Sequence, residues 1–124
     1  MRPQGGDDLQ TDPEQLVDLS VKFVRSKKAE DILVIDLRRV TDIADFFILC
    51  TGNSDTHVEA IADALVEGME GAGYRPWHIE GYGERNWVLI DFVDVVVHIF
   101  QREPREFYAL ERLWGDAKIQ EVEG

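Results

Sequence analysis

The sequence predicts a single α/β (α+β) domain in which helices flank a mixed five-stranded sheet. The chain has 124 residues, the length of one domain, and 44% of them are hydrophobic, which is ordinary for a globular protein. Two adjacent β-branched and aromatic runs, 87–91 and 94–100, predict a β-hairpin, and residues 54–69 have the apolar spacing of a helix. The resulting order αββαβββα has too few βα alternations for a doubly wound sheet and too many helices for a sandwich.

The first helix follows a polar segment that contains glycine. Residues 1–11 predict a mobile N-terminal tail, before a domain that spans 12–117. Asp12 followed by Pro13 is typical of a helix start, and we expect this helix to end near Lys28. The residues spaced to face the core are Leu16, Leu19 and Phe23.

Two short apolar runs, 32–37 and 45–51, predict the first two strands. Gly52 and Asn53 end the second run, and Ser54 is a good N-cap for the helix that follows. The apolar face of that helix consists of Val58, Ile61, Ala62, Leu65 and Met69. Its opposite face is acidic, with Glu59, Asp63 and Glu67, and this pattern favours a solvated surface over an acidic docking stripe.

The remaining elements complete the sheet and place one helix after it. Residues 74–80 predict a third strand that runs parallel beside the second after a right-handed crossover. The second hairpin strand, 94–100, is apolar on both faces except for His98, so it should lie centrally in the sheet. Pro104 suits the start of a final helix, and residues 118–124 are expected to form a C-terminal tail. The apolar stripe of that final helix is Phe107, Leu110, Trp114 and Ala117.

The charge of the chain limits the classes of partner. Twenty-five acidic and thirteen basic side chains give a formal charge of −12, which disfavours direct contact with nucleic acid and favours a basic partner. No segment is long and apolar enough for a membrane span, and the first residues do not look like a signal peptide, so a bacterial cytoplasmic location is expected. The lone Cys50 excludes an intrachain disulfide, and its apolar setting predicts a buried structural thiol.

A set of short motifs, in order along residues 16–114, resembles the ribosomal silencing factors of the Iojap family. No single motif would suffice, but their order and spacing match throughout. The motifs are Asp45, Cys50-Thr51-Gly52-Asn53-Ser54, His57-Val58, Ile61-Ala62-Asp63, Glu80-Gly81, Trp87-Val88-Leu89-Ile90-Asp91, Asp94-Val95-Val96-Val97-His98, and Arg105 with Tyr108-Ala109-Leu110-Glu111-Arg112-Leu113-Trp114.

Two positions depart from the family pattern. The hairpin turn usually carries glycine where this chain has Val93, and a β-branched residue is a poor occupant of a positive φ, so a wider turn is expected. A basic residue often occupies the position of Thr56, and its contact is therefore not carried over to this chain.

The resemblance implies a fold similar to that of the nucleotidyltransferases and a function without catalysis. Family members bind the large ribosomal subunit through its fourteenth protein and sterically block joining of the small subunit, which represses translation under nutrient limitation. They are also known as homodimers. The alternatives that remain open are a degenerate nucleotidyltransferase-like nucleotide-binding protein and an oligomeric adaptor in ribosome assembly.

The residues themselves do not support an enzyme. Nucleotidyl transfer needs closely spaced carboxylates that hold metal ions, but Asp91 and Asp94 flank a turn at a spacing of three and Asp36 has no acidic partner two residues away. The three histidines lack metal-ligand spacing, and no serine lies in a nucleophile elbow. No catalytic residue, metal site or cofactor is predicted.

The predicted site is a partner-binding surface of aromatic and acidic residues. Trp87 shares a strand face with Asp91, a setting typical of an amphipathic anchor at the rim of an interface, although core packing is an equally good interpretation. The residues predicted to bind the partner are Trp77, Glu80, Trp87, Asp91, Asp94, His98, Tyr108 and Glu111.

Overall fold

A computed structural model describes residues 12–123, with the side chain of Phe107 excepted. The predicted N-terminal tail lies outside these residues. The elements are α1 (Pro13–Ser26), β1 (Glu30–Asp36), β2 (Phe46–Gly52), α2 (Asp55–Gly71), β3 (His78–Glu80), β4 (Trp87–Asp91), β5 (Val95–Gln101), α3 (Arg102–Tyr108), α4 (Leu110–Leu113) and β6 (Lys118–Val122). They form an α+β domain with a mixed sheet, which confirms the predicted fold class.

The caps of the two long helices follow the sequence signals. The Asp12 carboxylate accepts a hydrogen bond from the backbone N–H of Glu14 at 3.0 Å, and the Ser54 hydroxyl accepts one from the N–H of His57 at 3.1 Å. Each cap satisfies a donor that the first turn of a helix leaves unpaired. Gly73, with a φ of +96°, adopts the left-handed conformation just after α2 ends.

The sheet has six strands in the order β3-β4-β5-β2-β1-β6, so the predicted count of five is corrected. The sixth strand is β6, which lies in the segment predicted to be a C-terminal tail and pairs antiparallel with β1. The third strand also differs from the prediction. Only His78–Glu80 is extended, and β3 pairs antiparallel with β4 at the sheet edge, whereas the parallel neighbour of β2 is β5.

The two faces of the sheet are covered unequally. Helices α1 and α2 pack on one face over a core that includes Ile48, Val88 and Val97. On the other face, α3 and the residues after it pack over the middle of the sheet, and within residues 12–123 no helix packs on β3 or on β4 apart from the contact of Tyr108 with Trp87. We call the part of this face that β3, β4 and the adjoining half of β5 form the open face.

The final helix is interrupted. Ala109 takes a left-handed φ of +46°, which ends α3 and offsets α4 from it. α3 begins at Arg102, so Pro104 is the third residue of the helix, whereas it was predicted to be the first. Leu110, Trp114 and Ala117 of the predicted stripe pack against the core of the second face, while the side chain of Phe107 lies outside the described residues.

Candidate docking surface

Strand β4 supplies the centre of the open face. Its exposure alternates along the strand, with Val88 and Ile90 completely buried under the helices and Trp87, Leu89 and Asp91 half-buried on the opposite side. This alternation is the period of two that a strand imposes on its side chains. The aromatic ring and the carboxylate therefore share one face, as predicted from their spacing.

The register of the neighbouring strands adds further residues to this face. His78 lies opposite Asp91, and Glu80 lies opposite Leu89 on the β3 side. On the β5 side, His98 lies opposite Leu89. Residues directly opposite in an antiparallel pair project to the same side of the sheet, so all of these side chains belong to the open face.

Trp87 is half-buried, and its ring is packed against its neighbours. Its ring stacks on Phe100 with centroids 5.0 Å apart and meets Tyr108 at 4.8 Å, and its Nε1 donates a hydrogen bond to Nδ1 of His98 at 3.1 Å. Stacking and a satisfied N–H hold the indole in one orientation. Tyr108, which is 49% exposed, extends the aromatic surface toward solvent.

His98 supports this surface from below. The side chain is only 3% exposed and lies 4.5 Å from the ring of Phe47, so it is a core histidine. Because Nδ1 accepts the bond from Trp87, the neutral ring carries its proton on Nε2, for which no partner lies in the described part of the chain. Burial lowers the pKa of His98 to about 3, which keeps the ring neutral.

The turn between β4 and β5 is tight, so the predicted wider turn is wrong. Val93 takes a φ of +77°, and the N–H of Asp94 donates to the carbonyl of Phe92 at 3.0 Å, which closes a γ-turn. The Asp91 carboxylate accepts the N–H of Val93 at 2.7 Å and stabilises this conformation. The carbonyl of Asp94 accepts a hydrogen bond from the N–H of Asp45, which ties the hairpin to the connection between β1 and β2.

The outer edge of the open face is exposed. Trp77 is 65% exposed, and its backbone N–H donates to the carbonyl of Asp91 at 2.7 Å. Glu80 lies beside His78, with Oε2 at 2.8 Å from Nε2 of the imidazole. The structure thus brings seven of the eight predicted residues onto or beside the open face, with His98 buried beneath it.

Glu111 does not join this group. It lies on α4 and lines a groove with residues of β1 and β6, at the opposite edge of the sheet from β3. The left-handed Ala109 separates Tyr108 on α3 from Glu111 on α4 and breaks the helical phase between them.

Two residues of the open face were missed by sequence reasoning. Leu89 lies between Trp87 and Asp91 on the same face, and the period of two would have identified it. His78 becomes part of the surface only through its register with β4, for which the sequence carries no signal.

In residues 12–123, no group of three or more His, Cys, Asp or Glu side chains is arranged to hold a metal ion. Cys50 is completely buried, as predicted, and burial raises the pKa of its thiol to about 12. None of the described helices is long and apolar enough to cross a membrane. What the open face offers is aromatic area next to the carboxylates of Glu80, Asp91 and Asp94.

Known proteins match this chain over nearly its whole length. A family described as "Ribosomal silencing factor during starvation" matches residues 10–124. A ribosomal silencing factor of Halalkalibacterium halodurans is 44% identical over 111 residues, which cover 90% of this chain and 95% of that protein. A ribosomal silencing factor of Bacillus subtilis is 43% identical over 97 residues, which cover 78% of this chain and 82% of that protein. A crystal structure of a protein from Chromobacterium violaceum superposes with a TM-score of 0.83 at 30% identity and covers 92% of this chain and 95% of that chain.

Proposed function

Because the chain belongs to the ribosomal silencing factor family, we propose that its open face binds the large ribosomal subunit through the fourteenth protein of that subunit. The bound domain then occupies volume that the small subunit needs, so the two subunits cannot join and translation is repressed under nutrient limitation. The role of the family is regulatory. We place this activity in the bacterial cytoplasm, where the two subunits meet.

The observation that carries this proposal is that, within residues 12–123, no helix covers β3 or most of β4 on the open face. A sheet face that is left to solvent is usually polar, so apolar and aromatic side chains on it indicate a contact surface. Here exposed Tyr108 packs on half-buried Trp87, Leu89 shares their face, and exposed Trp77 lies next to Asp91 at the end of β4. The centres of protein interfaces are rich in packed aromatic residues, and polar groups surround them at the rim.

Charge supports a basic partner. Glu80, Asp91 and Asp94 border the aromatic residues, and the whole chain has a formal charge of −12. Complementary charge increases the rate of encounter and disfavours acidic partners, including the phosphates of ribosomal RNA. A basic ribosomal protein fits this surface better than the RNA around it.

Silencing by exclusion needs no chemical step. Its extent depends on the fraction of large subunits that carry the protein, which follows from affinity and concentration by mass action. A saturating excess should therefore abolish joining, and dilution should restore it.

We also propose that the free chain forms a homodimer through part of the open face. Burying the exposed aromatic residues against a second copy would shield them until a ribosome is available. Sedimentation at several protein concentrations, with and without the ribosomal protein, would test this. A dimer that persists unchanged when the ribosomal protein is bound would show that the dimer surface and the docking surface do not overlap.

The decisive experiment is density-gradient sedimentation of separated subunits mixed with this protein, after which magnesium is raised to drive joining. Under the proposal, the protein travels with the large subunit and the joined particle does not form. A joined particle that carries the protein would favour an adaptor in ribosome assembly. Calorimetric titration with nucleotide and magnesium tests the remaining alternative, since measurable binding would favour the nucleotidyltransferase-like protein.

A further inference from the structure

The second edge of the sheet, formed by β6, is open along its whole length. Residues 118–122 pair with 36–32 of β1 in an uninterrupted register, and β6 is the last strand of the sheet. No described strand pairs with its outer side. The segment contains no proline and no bulge, the features that commonly protect an edge. The other edge strand, β3, has three residues and offers much less backbone.

A groove of about 690 Å³ follows β6 on the side of α3 and α4. Two of its three arginines are already engaged, since Arg102 pairs with Glu30 and Asp31, and Arg105 donates to backbone and hydroxyl oxygens. Four lining carboxylates have no partner in the described part of the chain, namely those of Glu106, Glu111, Glu121 and Glu123. They outnumber the third guanidinium of the groove, that of Arg112.

The carboxylate of Glu111 would favour a cation bound in this groove. Its Oε1 atom is buried and has no hydrogen-bond partner in the described part of the chain. A carboxylate oxygen that is removed from water without a donor costs free energy, which a lysine or arginine side chain from outside would recover.

The groove on the other side of β6 is lined by valines together with charged residues, among them Asp18, Lys22, Arg25 and Lys118. Two adjoining cavities of about 480 and 290 Å³ lie between α1 and β6 and share Val34 and Gln120 as lining. Valine side chains of α1 and β6, namely Val17, Val21 and Val122, form much of the second cavity. These positions suit aliphatic side chains.

We propose that the outer edge of β6 binds an extended segment of another protein in which basic and apolar residues alternate. A strand added to this edge would extend the backbone ladder, and its side chains would point alternately to the two sides of the sheet. Basic residues would then face the carboxylates near α4, and apolar residues would face the valines near α1.

Charge argues against a second copy of this chain as the occupant. The carboxylates that line the groove beside this edge outnumber its one unengaged guanidinium, so a basic segment fits the edge better than a second copy of an acidic chain. β6 is also separated from β4 by β5, β2 and β1, so this inference does not depend on the proposed ribosomal function.

The test uses the full chain and a peptide of about eight residues in which lysine and valine alternate. A peptide of the same composition, with its lysines and valines in separate blocks, is the control ligand. We expect saturable binding of the alternating peptide and slower amide exchange over residues 118–122, without a change over residues 78–80.

A charge-reversal variant locates the contact. Glu121→Lys with Glu123→Lys should weaken binding by about tenfold, because two attractive contacts become repulsive. The matched control is Glu67→Lys with Glu70→Lys on exposed positions of α2, which makes the same change in net charge and should alter affinity by less than about threefold. Thermal unfolding of both variants verifies that they fold.

Three outcomes would overturn the proposal. Equal binding of the two peptides would mean that only net charge is recognised. Unchanged exchange over 118–122 would place the contact elsewhere. A dimer in sedimentation equilibrium, with these amides already slow in the absence of peptide, would assign the edge to a second copy. The Trp87→Ala variant should retain peptide binding, which separates this result from failure of the ribosomal proposal.

Discussion

At the scale of single residues, the observed packing of Trp87 bears on its proposed role in binding. Its ring packs against Phe100 and Tyr108 and is held by His98, so the indole is already ordered before a partner arrives. An ordered aromatic side chain loses little conformational entropy on binding, which is a property of interface hot spots.

Truncation of this side chain should therefore weaken docking. We expect Trp87→Ala to reduce affinity for the large subunit by about 2 kcal/mol, or roughly thirtyfold, measured by co-sedimentation at graded concentrations. Leu113→Ala is the control, since Leu113 is 70% exposed on α4, away from the open face. Unchanged affinity in a folded Trp87→Ala protein would remove Trp87 from the site.

His98 makes stability depend on pH. Its folded pKa of about 3 lies below the ordinary value of 6.5, so the unfolded chain binds more protons between these values and stability falls as pH falls. Between about pH 7 and pH 5, the His98 contribution to the free energy of unfolding should fall by about 2 kcal/mol.

Denaturant unfolding at the two pH values measures this effect. In His98→Asn, the amide oxygen can still accept from the Trp87 N–H, but the titrating group is gone, so the pH dependence should shrink by that amount. His78→Gln removes a half-exposed histidine and serves as the control. An equal slope in wild type and His98→Asn would contradict the assignment.

Val93 is strained by its positive φ. A γ-turn with a β-branched residue at its centre costs about 1–3 kcal/mol, and glycine adopts the same conformation freely. After allowance for the greater freedom of glycine in the unfolded chain, Val93→Gly should stabilise the protein by about 1 kcal/mol in denaturant unfolding. Val40→Gly, at a loop position without a positive φ, should give no gain.

At the scale of elements, Arg105 joins α3 to the start of β1. The side chain is 8% exposed, and its Nη1 donates to the carbonyl of Asp31 at 2.6 Å and to the hydroxyl of Thr51 at 2.7 Å. Asp31 has a φ of +49° where the register of β1 with β2 shifts. The guanidinium thus stabilises an irregular part of the strand that regular pairing leaves unsatisfied.

Loss of these donors should be costly. Arg105→Met keeps an unbranched side chain but leaves the buried hydroxyl of Thr51 and the partly buried carbonyl of Asp31 without their donor, and we expect a loss of about 2 kcal/mol in the free energy of unfolding. Arg102→Met is a matched control, because its ion pairs with Glu30 and Asp31 are solvent-exposed and contribute less than about 1 kcal/mol. Similar losses in the two variants would contradict the buried role of Arg105.

The elements that sequence reasoning identified are those with local signals. The caps at Asp12 and Ser54, the apolar face of α2 and the buried β5 follow from residue order and spacing. On α1 the prediction holds only for Leu16, because Leu19 and Phe23 are partly buried and the other buried residues are Val17, Ser20 and Val24. β6 was missed because Lys118, Gln120 and Glu121 make most of the segment polar, as in a tail. In the structure four of its five residues are exposed. The parallel pairing of β2 with β5 depends on contacts between distant segments, which no local pattern encodes.

The candidate site divides in the same way. The shared face of Trp87 and Asp91 follows from strand periodicity. Glu111 lies away from them, because the left-handed Ala109, which nothing in the sequence marks, offsets its helix.

The acidic face of α2 also has a role that composition did not indicate. Glu59 and Asp63 accept hydrogen bonds from the hydroxyl of Tyr82, and Glu59 pairs with Arg85, so this face holds the connection that leads into Trp87.

At the scale of the whole molecule, net charge should govern how fast docking occurs more than how long it lasts. Raising ionic strength from about 0.05 M to 0.5 M should slow association with the large subunit by about tenfold and change dissociation little. Trp87→Ala should show the opposite pattern, with faster dissociation, because packing contacts are lost after encounter. Surface-immobilised large subunits, with the protein in flow, allow both rates to be measured.

The pairing of β6 with β1 has a consequence for the order of folding. Residues 32–36 pair with 118–122, so the whole segment between them must be synthesised before β1 can gain its second neighbour. Contacts between segments so far apart in sequence form late, because closing a long loop costs conformational entropy. β6 should therefore be the last strand to join the sheet, and its amides the first of the sheet to exchange.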